Sequence, residues 1–347
     1  MKINNVYIYA AEQISIQNPL SEQWMDTPLF YEDSLVKAVN PPFRDYLAPN
    51  EARRMGNLMK RALVTSIKVL KETGIDHPDA IITGTSIGSL DYTERFLDDL
   101  LENGEEALSP TYFMQSTHNT VGSALGIYTK THGYNSTYSH GEISFDAALF
   151  DAWMQLQLDA ISNALVSGHD EMIESFFELL RKTGYVGLDG MVPCGEVAMS
   201  MIIGKEKRVD SLCEISGIRL SYKPSLENFK SILYEMLHDA DISYSDISAV
   251  MTGVNGNPQN DSRYAKIINS LMYDKPLFHY KHLFGENYTS SALGLYTAAN
   301  LLSKQEVPSF IYDSSSPCEC KSLNNIILLN MTNGGECSII ILKRICY

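Results

Sequence analysis

SALGIYT (Ser123–Thr129) recurs 168 residues later as SALGLYT (Ser291–Thr297), with six of the seven positions identical. A chain that repeats itself at long range is built from duplicated units, and the repeat bounds the fold before any single motif does. Two further pairs occur in the same order. IDHPDAIITG (Ile75–Gly84) parallels ISYSDISAVMTG (Ile242–Gly253), and GEVAMSMII (Gly195–Ile203) parallels GECSIIIL (Gly335–Leu342).

Working outward from these pairs, each half alternates helix and strand. Apolar spacing predicts a helix over Ala52–Thr73, stopped by Gly74, then a strand over Ala80–Thr83 too uniformly apolar for a sheet edge. Helices are expected around Ser123–Thr129 and over Asp151–Leu165, with strands over Ala164–Ser167 and Val197–Ile203. The second half repeats the plan. Helix Leu226–Ala240, strand Ala249–Thr252 and helix Ser290–Leu302 precede strands near Ile326–Leu329 and Ser338–Leu342. Alternating helices and buried strands define an α/β layered fold. No Gly/Ser/Pro-rich linker separates the halves, so 1–208 and 209–347 are expected to pack as one body.

Composition narrows the function. The 347 residues are 44% hydrophobic and 20% charged, an ordinary globular balance, and the net charge of −15 disfavours nucleic acid or an anionic membrane as partner. No apolar run reaches 18 residues, the length needed to span a bilayer, and MKINNVYIYA reads as a first strand without a signal-peptide core. A cytoplasmic location is expected. Of the six cysteines only Cys318 and Cys320 are close together, and C-E-C is not a usual zinc spacing, so no metal is expected, nor any cofactor.

Two stretches carry candidate chemistry. GTSIG (Gly84–Gly88) follows a strand and precedes a helical Leu90–Leu101, the context of a hydrolase nucleophile elbow with Ser86 as nucleophile. His118, His132, His140 and His169 are available to complete a triad on paper. YSHGEISFDAA (Tyr138–Ala148) lies between a strand, NSTYS (Asn135–Ser139), and the apolar AALFDAW (Ala147–Trp153). Such a turn lifts one side chain above the sheet, and here it is a carboxylate, Glu142. A carboxylate at a helix N-terminus is favoured by about 0.3–1 kcal/mol, so a plain helix cap is the competing role.

Taken in order, RRM (Arg53–Met55), ITGTSIG (Ile82–Gly88), NTVGSALG (Asn119–Gly126), GYNST (Gly133–Thr137), SGHDE (Ser167–Glu171), GEVA (Gly195–Ala198) and NGG (Asn333–Gly335) resemble the β-ketoacyl synthase branch of the thiolase-like superfamily. The resemblance runs over nearly the whole chain. It implies two pseudo-repeated βαβαβ halves stacked as a five-layered αβαβα body, dimeric through a central strand.

It also implies a Cys-His-His set that this chain lacks. The family's T-x-S-T-A-C-S-S loop, laid on TYSHGEIS (Thr137–Ser144), puts the cysteine position on Glu142. The H-G-T-x-T-P histidine falls on Gly253 of TGVNGNP, and the K-S-x-x-G-H histidine on Glu286 of KHLFGE, with the lysine kept as Lys281. No cysteine occurs before Cys194, so the missing nucleophile does not depend on register. Further pocket positions implied are His140, Asn333, Gly334 and Gly335. The resemblance points to a non-catalytic, chain-length-factor-like subunit. Such a subunit would pair with an active ketosynthase in fatty-acid- or polyketide-type elongation, with acyl carrier protein as a further partner. A homodimeric, ligand-binding relic of the fold and a Ser86 hydrolase are the alternatives.

Overall fold

A computed structural model describes residues 4–105, 108–314, 316, 320 and 322–346. The first half runs β1 (Val6–Ile14), α1 (Pro49–Ala52), α2 (Asn57–Thr73), β2 (Ala80–Gly84), α3 (Leu90–Asn103), α4 (Pro110–Ser116) and α5 (Thr120–Thr129). It continues with β3 (Tyr134–Tyr138), α6 (Ser144–Gln157), β4 (Asn163–Asp170), α7 (Glu174–Lys182) and β5 (Val197–Gly204). The second half comprises β6 (Cys213–Tyr222), α8 (Leu226–Asp239), β7 (Ile247–Thr252), α9 (Pro258–Leu271) and β8 (Leu277–His279). It ends with α10 (Lys281–Phe284), α11 (Ser291–Lys304), β9 (Asn325–Met331) and β10 (Glu336–Lys343).

The strands follow the order β3-β2-β4-β5-β1-β6-β10-β9-β7-β8. Read outward from the centre, β1-β5-β4-β2-β3 matches β6-β10-β9-β7-β8 strand for strand. In each run the first two pairings are antiparallel and the outer two parallel. The runs meet where β1 and β6 pair over only three residues, Val6–Ile8 against Cys213–Ile215.

Three apolar clusters give the layering. Outer helices α2 and α5 cover one face of the first run (Leu63, Ile67 and Leu125 with Ile81 and Leu165), and α8 and α9 cover one face of the second (Phe229, Leu233 and Ile267 with Val250 and Ile339). Between the runs lie α6 and α11, whose Phe145, Leu149, Leu293 and Leu301 share a core with Val166, Met199, Leu328 and Ile340. The order is αβαβα. α11 is buried all round from Ser291 to Leu302, as a helix enclosed by two sheets must be.

Three expectations shift. The strongest sequence match joins helices that are not counterparts: α5 lies between β2 and β3, whereas α11 precedes β9 and corresponds to α6. The other two repeat pairs do fall on matching strands, β2 with β7 and β5 with β10. The helix expected over Asp151–Leu165 instead spans Ser144–Gln157, and the chain leaves it through Asp159 at φ 57° before β4. The helix expected from Ala52 starts at Asn57, after Pro49–Ala52 has formed its own short turn. Cys318 of the C-E-C stretch lies outside the described residues. Among those residues no helix is long and apolar enough to cross a membrane.

Candidate functional site

Glu142 stands in a single 3-10 turn, Gly141–Ile143, between the end of β3 and the start of α6. Gly84 allows the placement: a Cβ there would sit 2.5 Å from the Ser144 carbonyl oxygen, so only glycine lets the α6 entry lie against β2. Glu142 does not cap its own helix. No side chain caps α6; the Ser144 hydroxyl braces the preceding turn, accepting from the His140 N–H at 2.8 Å and donating to the Gly141 carbonyl at 2.7 Å. The Glu142 Oε2 instead accepts the Asn333 backbone N–H at 2.8 Å, and its carboxylate takes a hydrogen bond from Tyr185.

Behind it lies a buried ion pair. The Lys281 Nζ donates to both oxygens of Glu286, at 2.9 and 2.8 Å, and Asn255 Nδ2 adds a third bond to Oε2 at 2.5 Å. The backbone fixes the glutamate. The Glu286 N–H donates to the Pro193 carbonyl at 2.8 Å, and the Gly195 N–H donates to the Glu286 carbonyl at 2.9 Å. Gly285, at φ 79°, turns the chain from α10 into this bridge, a conformation that strains any other residue.

The space beside Gly253 is occupied. A Cβ at that position would meet the Tyr264 hydroxyl at 2.8 Å, and Lys281 Cε and the Tyr280 hydroxyl at 3.1 Å. A histidine side chain has no room there without moving a buried tyrosine.

Electrostatics follow from burial. Desolvation pushes the Glu142 carboxyl above the ordinary carboxylate range; the Tyr185 bond opposes this and the Glu286 charge adds to it, while Lys281 and the Asn333 N–H pull down. Burial works against the Lys281 charge, yet contact with Glu286 wins and holds the amine above the usual lysine value. Burial, with the charges of Glu142 and Glu286, keeps Tyr185 a phenol and therefore a donor. Cys194, pinned against Glu286 in a backbone bridge, is fully buried, and its thiol is pushed up to about 12 by desolvation and the Glu286 charge. A thiol so placed is not a nucleophile near neutral pH.

Glu142, Gly253 and Glu286 thus converge around Lys281, with Asn333 on the rim. His140 does not join them: it is exposed, its ring 5.7 Å from that of Tyr138. Gly334 is exposed, and Gly335, at φ 103°, closes the hairpin through a bond from its N–H to Thr332. Tyr185 and Tyr288, stacked at 5.7 Å, are part of the site and carried no signal in the sequence.

The GTSIG turn is arranged differently from an elbow. The Thr85 hydroxyl and the Ser86 and Ile87 N–H groups all donate to Asp170, at 2.8, 3.0 and 3.0 Å. Those amides are committed to a buried carboxylate, so they offer no oxyanion site. The His118 ring meets the Ser86 carbonyl oxygen at 3.2 Å, not its hydroxyl.

Comparison with known proteins names the class. The family model described as β-ketoacyl synthase, N-terminal domain, matches residues 22–224, more than half of the chain. The chain belongs to the β-ketoacyl synthase family. It is 23% identical over 299 residues to a 3-oxoacyl-[acyl-carrier-protein] synthase 2 of Mycobacterium leprae (strain TN), covering 75% of this chain and 71% of that protein. Among solved structures, a chain of the ishigamide ketosynthase/chain length factor superposes with a TM-score of 0.83 at 15% identity, covering 99% of this chain and 100% of the other. A chain of a ketosynthase in complex with its chain length factor, from Xenorhabdus doucetiae, gives 0.80 at 14% identity, covering 99% and 98%.

Proposed function

We propose that this chain is a non-catalytic, chain-length-factor-like subunit that pairs with an active ketosynthase in fatty-acid- or polyketide-type chain elongation. The observation that carries this reading is the site's occupancy. Where the motif placement puts the family's cysteine, Glu142 is tied to Asn333 and Tyr185, and where it puts the first histidine, Tyr264, Tyr280 and Lys281 fill the space. At the second histidine position Glu286 is spent on Lys281. A carboxylate attacking a thioester would yield a mixed anhydride, a poor acyl store, and among the described residues the partners of Glu142 are Asn333 and Tyr185, not a histidine.

A surface for the partner is available. Among the described residues β3 ends the sheet with one edge unpaired, and around it Phe113, Met114, Ile127, Tyr128 and Tyr134 are exposed, Ile127 by 80%. An open edge flanked by apolar side chains seeks a partner. On this reading residues 1–208 and 209–347 are two halves of one cytoplasmic body, and the acyl carrier protein meets the assembled pair.

Co-expression with a ketosynthase carrying an intact Cys-His-His set tests the reading, followed by incubation with acyl- and malonyl-carrier protein. The expected result is a stable heterodimer in which only the partner becomes acylated. Self-association alone would favour a homodimeric relic. Acylation of this chain, or carbon dioxide released by it alone, would overturn the non-catalytic assignment.

A further inference from the structure

On the outer face of the second half, a concavity of about 300 Å³ opens between α9, the start of α8 and the Thr332–Glu336 hairpin. Three cations line it: Lys223, Arg263 and Lys266. They stand together in a chain whose net charge is −15. Lys37, Arg61, Lys68, Arg95 and Lys281 all have carboxylate partners, whereas none of these three forms an ion pair among the described residues.

Their positions are built. The Lys223 N–H donates to the Gly335 carbonyl at 2.7 Å, and its stem lies flat on Gly335, where a Cβ would meet Cγ at 2.5 Å. Its Nζ stands 4.9 Å from the centre of the Tyr222 ring. Arg263 donates through Nη1 to the Thr332 carbonyl. Lys266 follows Arg263 by three residues on α9 and so projects from the same helix face. Glu336, the acid on the wall, is held by the Thr332 hydroxyl. Leu226, Ile267 and Met331 supply an apolar floor.

We propose that this concavity binds a phosphate monoester bearing a small apolar group. A dianionic head with three acceptor oxygens suits two ammonium groups and a guanidinium, and the floor accommodates the substituent. The volume lies at the lower end for ligand pockets, which limits the substituent to about one ring. The site is independent of the reading given for Glu142, although the hairpin is shared: Asn333 follows Thr332 and donates to Glu142.

The test is titration of the whole protein with phenyl phosphate, with inorganic phosphate and benzyl alcohol as controls, by calorimetry and amide NMR. Saturable binding of phenyl phosphate at millimolar concentrations or below is expected, tighter than inorganic phosphate and weakened by salt. Amide shifts should centre on Thr332–Glu336. The double variant Lys223→Gln/Lys266→Gln should lose at least about tenfold in affinity with its melting temperature unchanged. No saturable binding, equal binding of benzyl alcohol, or undiminished binding by the double variant overturns the proposal.

Discussion

Glu142 and Asn333, 191 positions apart, are joined by a 2.8 Å hydrogen bond from the Asn333 N–H to Oε2. The bond ties the entry of α6 in one half to the β9–β10 hairpin of the other. The acid therefore positions a loop, whatever else it does. Glu142→Gln keeps an acceptor and should leave Asn333 protected from hydrogen exchange, while Glu142→Ala should expose it. The charge has its own signature. Because the folded carboxyl holds its proton more tightly than the unfolded one, stability falls as pH rises above the ordinary value of 4.5. Glu142→Gln should reduce that fall in urea melts taken across the range.

Lys281 and Glu286 are both almost fully buried, so removing one partner strands the other's charge. Lys281→Met should cost about 3–5 kcal/mol in denaturant unfolding. Lys281→Met/Glu286→Leu should recover most of that loss, since the pair's desolvation disappears with it. A double variant no better than the single one would show that Asn255 and the surrounding tyrosines depend on the charges.

Glu12 is raised to about 8, chiefly by burial and then by the charge of Glu72, with Lys68 opposing. The sign again follows from the raised value: the folded state holds a proton the unfolded state has released, so stability declines between about 4.5 and about 8. Glu12→Gln should lessen the decline, read as a melting temperature less dependent on pH across that interval.

Ile127 is 80% exposed beside the open β3 edge. Ile127→Lys should leave monomer stability within about 0.5 kcal/mol of wild type, as for surface changes generally. The same change should weaken capture of a co-expressed ketosynthase. Unchanged capture would place the partner elsewhere.

The fold was legible where physics repeats: β2 and β7, and β5 and β10, are each largely apolar and buried because helices cover both faces. The seven-residue match misled for a physical reason. Gly126 of α5 sits where a Cβ would lie 3.0 Å from Asn135 Nδ2, and Gly294 of α11 where it would lie 2.8 Å from Tyr280 Cε1. Each helix needs a small residue at its glycine, but the rest of the match lies in different surroundings, with Ile127 and Tyr128 exposed and Leu295 and Tyr296 buried. The shared letters therefore mark one local requirement and not topological equivalence. In the site, Glu142, Gly253, Glu286 and Lys281 were readable from motif order. Tyr185 and Tyr288 were not, because they reach the site from irregular loops where no periodicity constrains them.

The three-residue seam between β1 and β6 leaves little backbone holding the halves together. What joins them is α6 and α11, each buried against strands of both runs. The layers are therefore unequal in what they can forget. Their outer helices face solvent and can diverge freely, whereas the inner pair must change in concert. A duplicated lineage of this shape would keep its memory of the duplication in the strands and lose it first in the outer helices.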